Sequence, residues 1–144
     1  MKKEEILQTL PQRPPMLMVD DILEVVPGRY AVGYKKIKND EAWVQGHFPG
    51  EPVFPGVLLI EHMAQTALFL FAKGQGGQKP YLAKVEQMKF LLPAMPGAEL
   101  FTRVEKLSAA AGFVKVHAVS ALDALRKKTA AKGVLVCYLG ENME

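Results

Sequence analysis

One uninterrupted apolar run, Val57 to Ala72, constrains the fold more than any other stretch of the chain. It holds a single carboxylate, Glu61, with His62, Gln65 and Thr66 as its other polar groups, so apolar side chains occupy every face of a 3.6-residue helix. A helix that is apolar all round has to be enclosed. The run falls just short of the roughly 18 residues that span a bilayer, and its polar groups fit a core better than lipid. We therefore read Val57 to about Lys73 as one long core helix stopped by Gly74.

What encloses it is written in the remaining segments. Lys3 to Leu10 reads as a short helix stopped by Pro11. Met16 to Val26 and Arg29 to Lys38 read as strands joined at Pro27-Gly28, and Tyr81 to Phe90, Glu99 to Ser108, Gly112 to Leu122 and Lys128 to Leu139 as further strands between turn signals. Gln75 to Lys79 is a polar loop. One long helix among about six antiparallel strands predicts an α+β fold, a curved sheet wrapped around a central helix. With 144 residues, the expectation is a single domain covering 1–144.

Composition removes several function classes. The net charge of +3 is spread along the chain without an aromatic-rich basic motif, which argues against nucleic acid. A single cysteine, Cys137, excludes an internal disulfide and fits a reducing compartment. The amino-terminal residues lack the apolar core of a secretory signal, so the cytoplasm is the expected location, with no membrane partner. Three scattered histidines offer no metal-ligand spacing, and Gly74-Gln75-Gly76-Gly77 lacks a nucleotide-binding pattern, so neither metal nor cofactor is expected. Ser108 and Ser120 lie in no nucleophile elbow and Cys137 lies in an apolar strand, which disfavours covalent catalysis.

Chemistry concentrates just before and inside the long helix. Prolines at 49, 52 and 55 make the segment from His47 to Gly56 stiff and extended. Pro55-Gly56 leaves the N–H groups of Gly56 and Val57 free at a helix start, where the macrodipole favours an oxygen gaining negative charge. Glu61 follows Val57 by about 6 Å along the axis. Burial beside Leu58, Leu59, Ile60 and Met63 is expected to keep its proton on more than at the surface. Gln65, one i,i+4 step further, can orient that carboxyl. His47 can act as a base if another group holds one ring nitrogen. Each feature also has an ordinary role: a plain helix start, a glutamate paired to a lysine, a structural histidine. Together they make a base, an acid and an oxyanion donor, the minimum for removing a proton beside a carbonyl and expelling a β-substituent. His62 points about 100° from Glu61 and reads as a packed, hydrogen-bonded histidine, His117 as a surface one.

The string His47-Phe48-Pro49-Gly50, Pro55-Gly56-Val57-Leu58, Glu61 and Met63-Ala64-Gln65 resembles the β-hydroxyacyl-acyl carrier protein dehydratases of the FabZ type. Likeness extends to Leu10-Pro11-Gln12-Arg13, Met18-Val19-Asp20, Lys89-Phe90, Pro93 and Pro96-Gly97. The resemblance implies a hot-dog fold and homodimers, often trimers of dimers, whose active sites are shared between subunits. By position, His47 takes the α-proton, Glu61 of the other subunit protonates the departing 3-hydroxyl, the Gly56 N–H polarises the thioester carbonyl and the Val53 carbonyl fixes the histidine tautomer. Phe48, Val57 and Gln65 complete the substrate-binding set. No cofactor is implied beyond the phosphopantetheine arm of the acyl carrier protein that brings the substrate. The chain departs from the pattern at Gln12, where histidine is common, at Pro14, where an aromatic is common, and at Leu91-Leu92, where two basic residues usually help receive the carrier. Arg126-Lys127-Lys128 is a candidate replacement for them. Other readings are a hot-dog thioesterase or CoA-linked hydratase, a specialised-pathway paralogue with a dedicated carrier, and a non-catalytic acyl-binding scaffold.

Overall fold

A computed structural model describes residues 1–71 and 79–140. Six strands follow the chain as β1 (Asp21–Val26), β2 (Tyr30–Lys36), β3 (Tyr81–Phe90), β4 (Glu99–Ala110), β5 (Phe113–Ala121) and β6 (Thr129–Tyr138), with helices α1 (Lys3–Thr9) and α2 (Gly56–Ala67). They form one sheet in the order β1-β2-β4-β5-β6-β3, with every neighbouring pair antiparallel. This is the expected α+β hot-dog architecture. Register shifts place an extra residue in β1, β3, β4 and β6, marking bulges, which bend a strand and increase its twist. The sheet thereby acquires the curvature needed to hold a helix.

α2 lies against β2, β4 and β5. Leu59, Met63 and Ala67 face a buried layer that includes Ala31, Leu100, Val104, Val116, Ala118 and Leu135. Each fully buried large side chain there contributes roughly 1.5–3 kcal/mol. Approach is closest at Gly33 of β2, where a Cβ would run into the Thr66 side chain. Only glycine lets the strand come so near the helix.

Two expectations need correction. α2 is short: it ends at Ala67, tightens into a 3₁₀ turn over Leu68–Leu70, and Phe71 is already extended. Nothing in the local sequence breaks it. The cause is tertiary, because the Gly28 N–H in the β1–β2 turn donates to the Leu70 carbonyl at 2.8 Å, diverting a group that a longer helix would use itself. The expected stop at Gly74 lies outside the described residues, as does the predicted loop apart from Lys79. The first strand also starts later than expected, at Asp21 instead of Met16. Residues 16–18 bond to α2 side chains, as described below, and so are not available to a neighbouring strand.

The helix is also not fully enclosed. Val57 is 75% exposed, and Leu58, Ile60, Glu61 and Ala64 are only partly buried. At the sheet edge, β3 carries the exposed apolar residues Tyr81, Leu82, Val85 and Phe90. An open helix face and an unpaired apolar edge strand belong to one incompletely covered side of the molecule. No helix of the described residues is long and apolar enough to cross a membrane.

Candidate active site

His47 ends a turn in which its N–H and that of Gly46 both donate to the Trp43 carbonyl at 3.1 Å. The next residues double back: Val53 N–H donates to the His47 carbonyl at 2.8 Å, and Phe48 and Glu51 exchange main-chain bonds. This closure brings the Val53 carbonyl within 2.7 Å of His47 Nδ1. A carbonyl only accepts, so Nδ1 carries the hydrogen and Nε2 presents a free lone pair. The ring is half-buried and stacks on the exposed Phe48 ring at 4.0 Å between centroids.

Beneath the loop lies a second set of contacts. Lys35, buried on β2, pairs with Glu41 at 2.9 Å, and Glu41 also accepts from Trp43 Nε1 at 3.1 Å and from the Lys38 N–H at 2.6 Å. Burial raises the Glu41 pKa, but these donors outweigh it and hold the carboxyl below its usual range. The Trp43 ring meets Phe54 edge-on at 5.4 Å. Phe54 in turn separates Val53 from the start of α2, so His47 and the helix start rest on a shared support.

α2 begins at Gly56 with Pro55 as its N-cap residue. The Pro55 carbonyl accepts from Leu58 and Leu59, whereas the N–H groups of Gly56 and Val57 make no hydrogen bond within the described residues. No acidic side chain occupies the first turn. Two free donors thus face outward at the positive end of the helix dipole. At Gly56 a Cβ would come within 2.9 Å of the Phe90 ring, so the glycine keeps the approach to these amides narrow but open.

Glu61 projects one turn further on, half-buried, with Gln65 Nε2 donating to its Oε2 at 2.8 Å. The same amide nitrogen donates to the Met16 carbonyl at 2.7 Å, while Gln65 Oε1 accepts the Met18 N–H at 2.8 Å. A flipped amide would set oxygen against carbonyl and N–H against N–H, so its orientation is fixed. Gln65 therefore occupies Oε2 and leaves Oε1 of Glu61 for a ligand.

His47, Gly56, Val57, Gln65 and Glu61 thus carry the local geometry that acid–base work requires. Comparison with known proteins decides the family: the model of the FabA-like domain matches residues 10–130. The chain belongs to the FabA-like family. The 3-hydroxyacyl-[acyl-carrier-protein] dehydratase FabZ of Pectobacterium atrosepticum is 38% identical, over 83% of this chain and 82% of its own length. Its namesake from Acidiphilium cryptum is also 38% identical, over 91% and 82%. Among solved structures, the dehydratase heterocomplex ApeI:P from Xenorhabdus doucetiae superposes with a TM-score of 0.76 at 15% identity, covering 94% of this chain and 90% of that one. That likeness speaks for the fold.

In this FabA-like chain Glu61 is tied to the sheet through His62, the packed and hydrogen-bonded histidine expected from the sequence, and through Thr102 and Ser120, which the sequence did not single out for this role. His62 Nδ1 lies 2.7 Å from the Met18 carbonyl and must donate to it, so Nε2 accepts from Thr102 Oγ1 at 2.8 Å. Thr102 has then spent its hydrogen, and Ser120 Oγ at 2.6 Å donates to it. All three side chains are fully buried, and desolvation holds the His62 pKa down at about 4. The chain from Ser120 through Thr102 and His62 fixes residues 16–18, which fix Gln65. Only the helical spacing of His62 hinted at this; Thr102 and Ser120 are ordinary strand residues in sequence.

A cavity of about 40 Å³ opens beside Glu61, lined also by Gln12, Ala64, Leu68, Leu82 and Cys137. Burial, reinforced by the Glu61 charge, pushes the Cys137 thiol up to about 11, so it stays protonated and inert. His47 does not line this cavity. Among the described residues, no group of three or more His, Cys, Asp or Glu is arranged to hold a metal ion.

Proposed function

We propose that the chain catalyses the reversible dehydration of 3-hydroxyacyl thioesters, presented on an acyl carrier protein, to trans-2-enoyl thioesters and water. The observation that carries this reading is the locked tautomer of His47, whose Nε2 is left as a free base by the Val53 carbonyl. Its Nε2 takes the α-proton, and the C–H electrons form the Cα–Cβ double bond. The Cβ–O bond breaks towards oxygen, which receives the proton of Glu61 Oε1 and leaves as water. Charge gathering on the thioester oxygen is met by the free N–H groups of Gly56 and Val57. Phosphopantetheine supplies the thioester, and the chain's own groups supply the proton transfers.

His47 and Glu61 belong to sites shared between two copies of the chain, His47 of one facing Glu61 of the other. Support comes from the open side of α2 and from the exposed apolar residues of β3, which suit pairing with a second β3 edge. Trimers of such dimers are compatible with the same surface. The family match and the two FabZ relatives support the reaction and the carrier-bound substrate. Cytoplasmic fatty-acid or related acyl-chain biosynthesis is the setting this implies.

Turnover of 3-hydroxybutyryl- or crotonyl-carrier protein tests the proposal. Wild-type protein should dehydrate the first and hydrate the second, and His47→Ala and Glu61→Gln should each slow both by about 10² to 10⁴-fold. Release of free thiol without enoyl product would instead identify a thioesterase, and unchanged turnover in the two variants would refute the mechanism.

A further inference from the structure

Among the described residues, one buried side-chain polar atom has no hydrogen-bond partner: Gln12 Oε1. An unsatisfied buried acceptor is unfavourable, and folded proteins seldom retain one without use for it. Gln12 lines the same small cavity as Glu61, together with Ala64, Leu68, Pro80, Tyr81, Leu82 and Cys137, and neither the Tyr81 hydroxyl nor the Cys137 thiol bonds to its Oε1. The cavity's 40 Å³ exceeds the roughly 10–15 Å³ that one water needs. It is the size of a hydroxyl group or a single water.

The dehydration chemistry requires an acceptor there. A departing 3-hydroxyl accepts the proton of Glu61 Oε1, while Glu61 Oε2 is already engaged by Gln65. The hydroxyl's own hydrogen still needs somewhere to point, and pointing it at the acid would misdirect the lone pair that must be protonated. We propose that Gln12 Oε1 accepts this hydrogen, so that Gln12 and Glu61 form a two-point subsite for the leaving oxygen and for the water it becomes. This rests on the dehydratase reading above. As the Cβ–O bond breaks, the oxygen gains the Glu61 proton and keeps the hydrogen held by Gln12. Product water then lies between a carboxylate and an amide carbonyl, both of which accept. In the hydration direction the same pair aims a water at Cβ, with Glu61 removing its proton.

The test compares two leaving groups. With 3-hydroxybutyryl-carrier protein, Gln12→Leu should lower kcat about tenfold with KM little changed, since the hydroxyl hydrogen then turns towards Glu61 and the lone pair to be protonated is misaligned. With the 3-fluorobutyryl analogue, which eliminates hydrogen fluoride and has no O–H to place, the same variant should keep its rate within about twofold. Gln12→His, whose neutral ring offers an acceptor nitrogen, should recover most of the hydroxyl-substrate rate. The melting temperature of Gln12→Leu should equal or exceed that of the wild type, because an unpartnered buried oxygen has been removed. Equal slowing of both substrates, slowing of neither, or a lower melting temperature would overturn the subsite. A wild type that eliminates neither substrate would show instead that the dehydratase reading has failed.

Discussion

His47 and Glu61, the proposed base and acid, are held in opposite ways. His47 is placed by main chain: Trp43, Val53 and its own carbonyl supply the hydrogen bonds, all within six residues. Glu61 is placed by side chains that reach far along the sequence, through Gln65 to residues 16–18 and through His62 to Thr102 and Ser120. A main-chain support tolerates changes of side chain, whereas a side-chain support fails when one link is removed. The stiff loop can therefore be read locally, while the acid's setting depends on the completed fold.

Removing either reacting group is the largest perturbation. His47→Ala or Glu61→Gln should each lower kcat by about 10² to 10⁴, measured with saturating carrier substrate. Next comes Gln65→Leu, which strands the Met18 N–H and the Met16 carbonyl and releases Glu61. Urea unfolding should show a loss of about 3–4 kcal/mol, with kcat about tenfold lower.

The support of Glu61 also carries a pH dependence. His62 is fully buried and neutral, its pKa lowered from 6.5 to about 4, with Lys35 and Asp20 the charged side chains acting on it. Because the folded state binds this proton more weakly than the unfolded chain, the stabilisation is complete above pH 6.5 and is lost as pH falls towards 4. The loss is about 3 kcal/mol. Unfolding of wild type and His62→Leu across that interval should show this component in the wild type alone. A smaller effect is expected from Thr102→Val, about 1–2 kcal/mol, since His62 Nε2 loses its donor. Smallest of all is Val53→Ala: the carbonyl that orients His47 remains, so kcat should stay within about threefold of wild type. A large loss in that variant would break the contrast between the two supports.

Sequence revealed most where the controlling forces are local. β3 runs over the residues its alternation and turn signals marked, and β4 starts at Glu99 as read. The i,i+4 spacing found the Gln65–Glu61 bond, whereas the proline spacing predicted an extended segment from His47 to Gly56 and the chain instead doubles back over 47–53, where main-chain bonds between His47 and Val53 and between Phe48 and Glu51 close a turn. The end of α2 was not legible, because the Gly28 N–H that takes the Leu70 carbonyl is distant in sequence. Met16 to Met18 has the apolar character of a strand, yet Gln65 and His62 claim main-chain groups of Met16 and Met18. Burial of Glu61 was overestimated, since it lies on the side of α2 that the sheet leaves partly uncovered.

Subunit complementation tests the central idea most directly. Inactive His47→Ala and Glu61→Gln proteins, unfolded together and refolded as a mixture, should recover about a quarter of wild-type activity. Half of the dimers are then mixed, and each mixed dimer has one intact site of two. Mixed dimers confirmed by mass spectrometry but devoid of activity would contradict a base and an acid meeting across the subunit boundary.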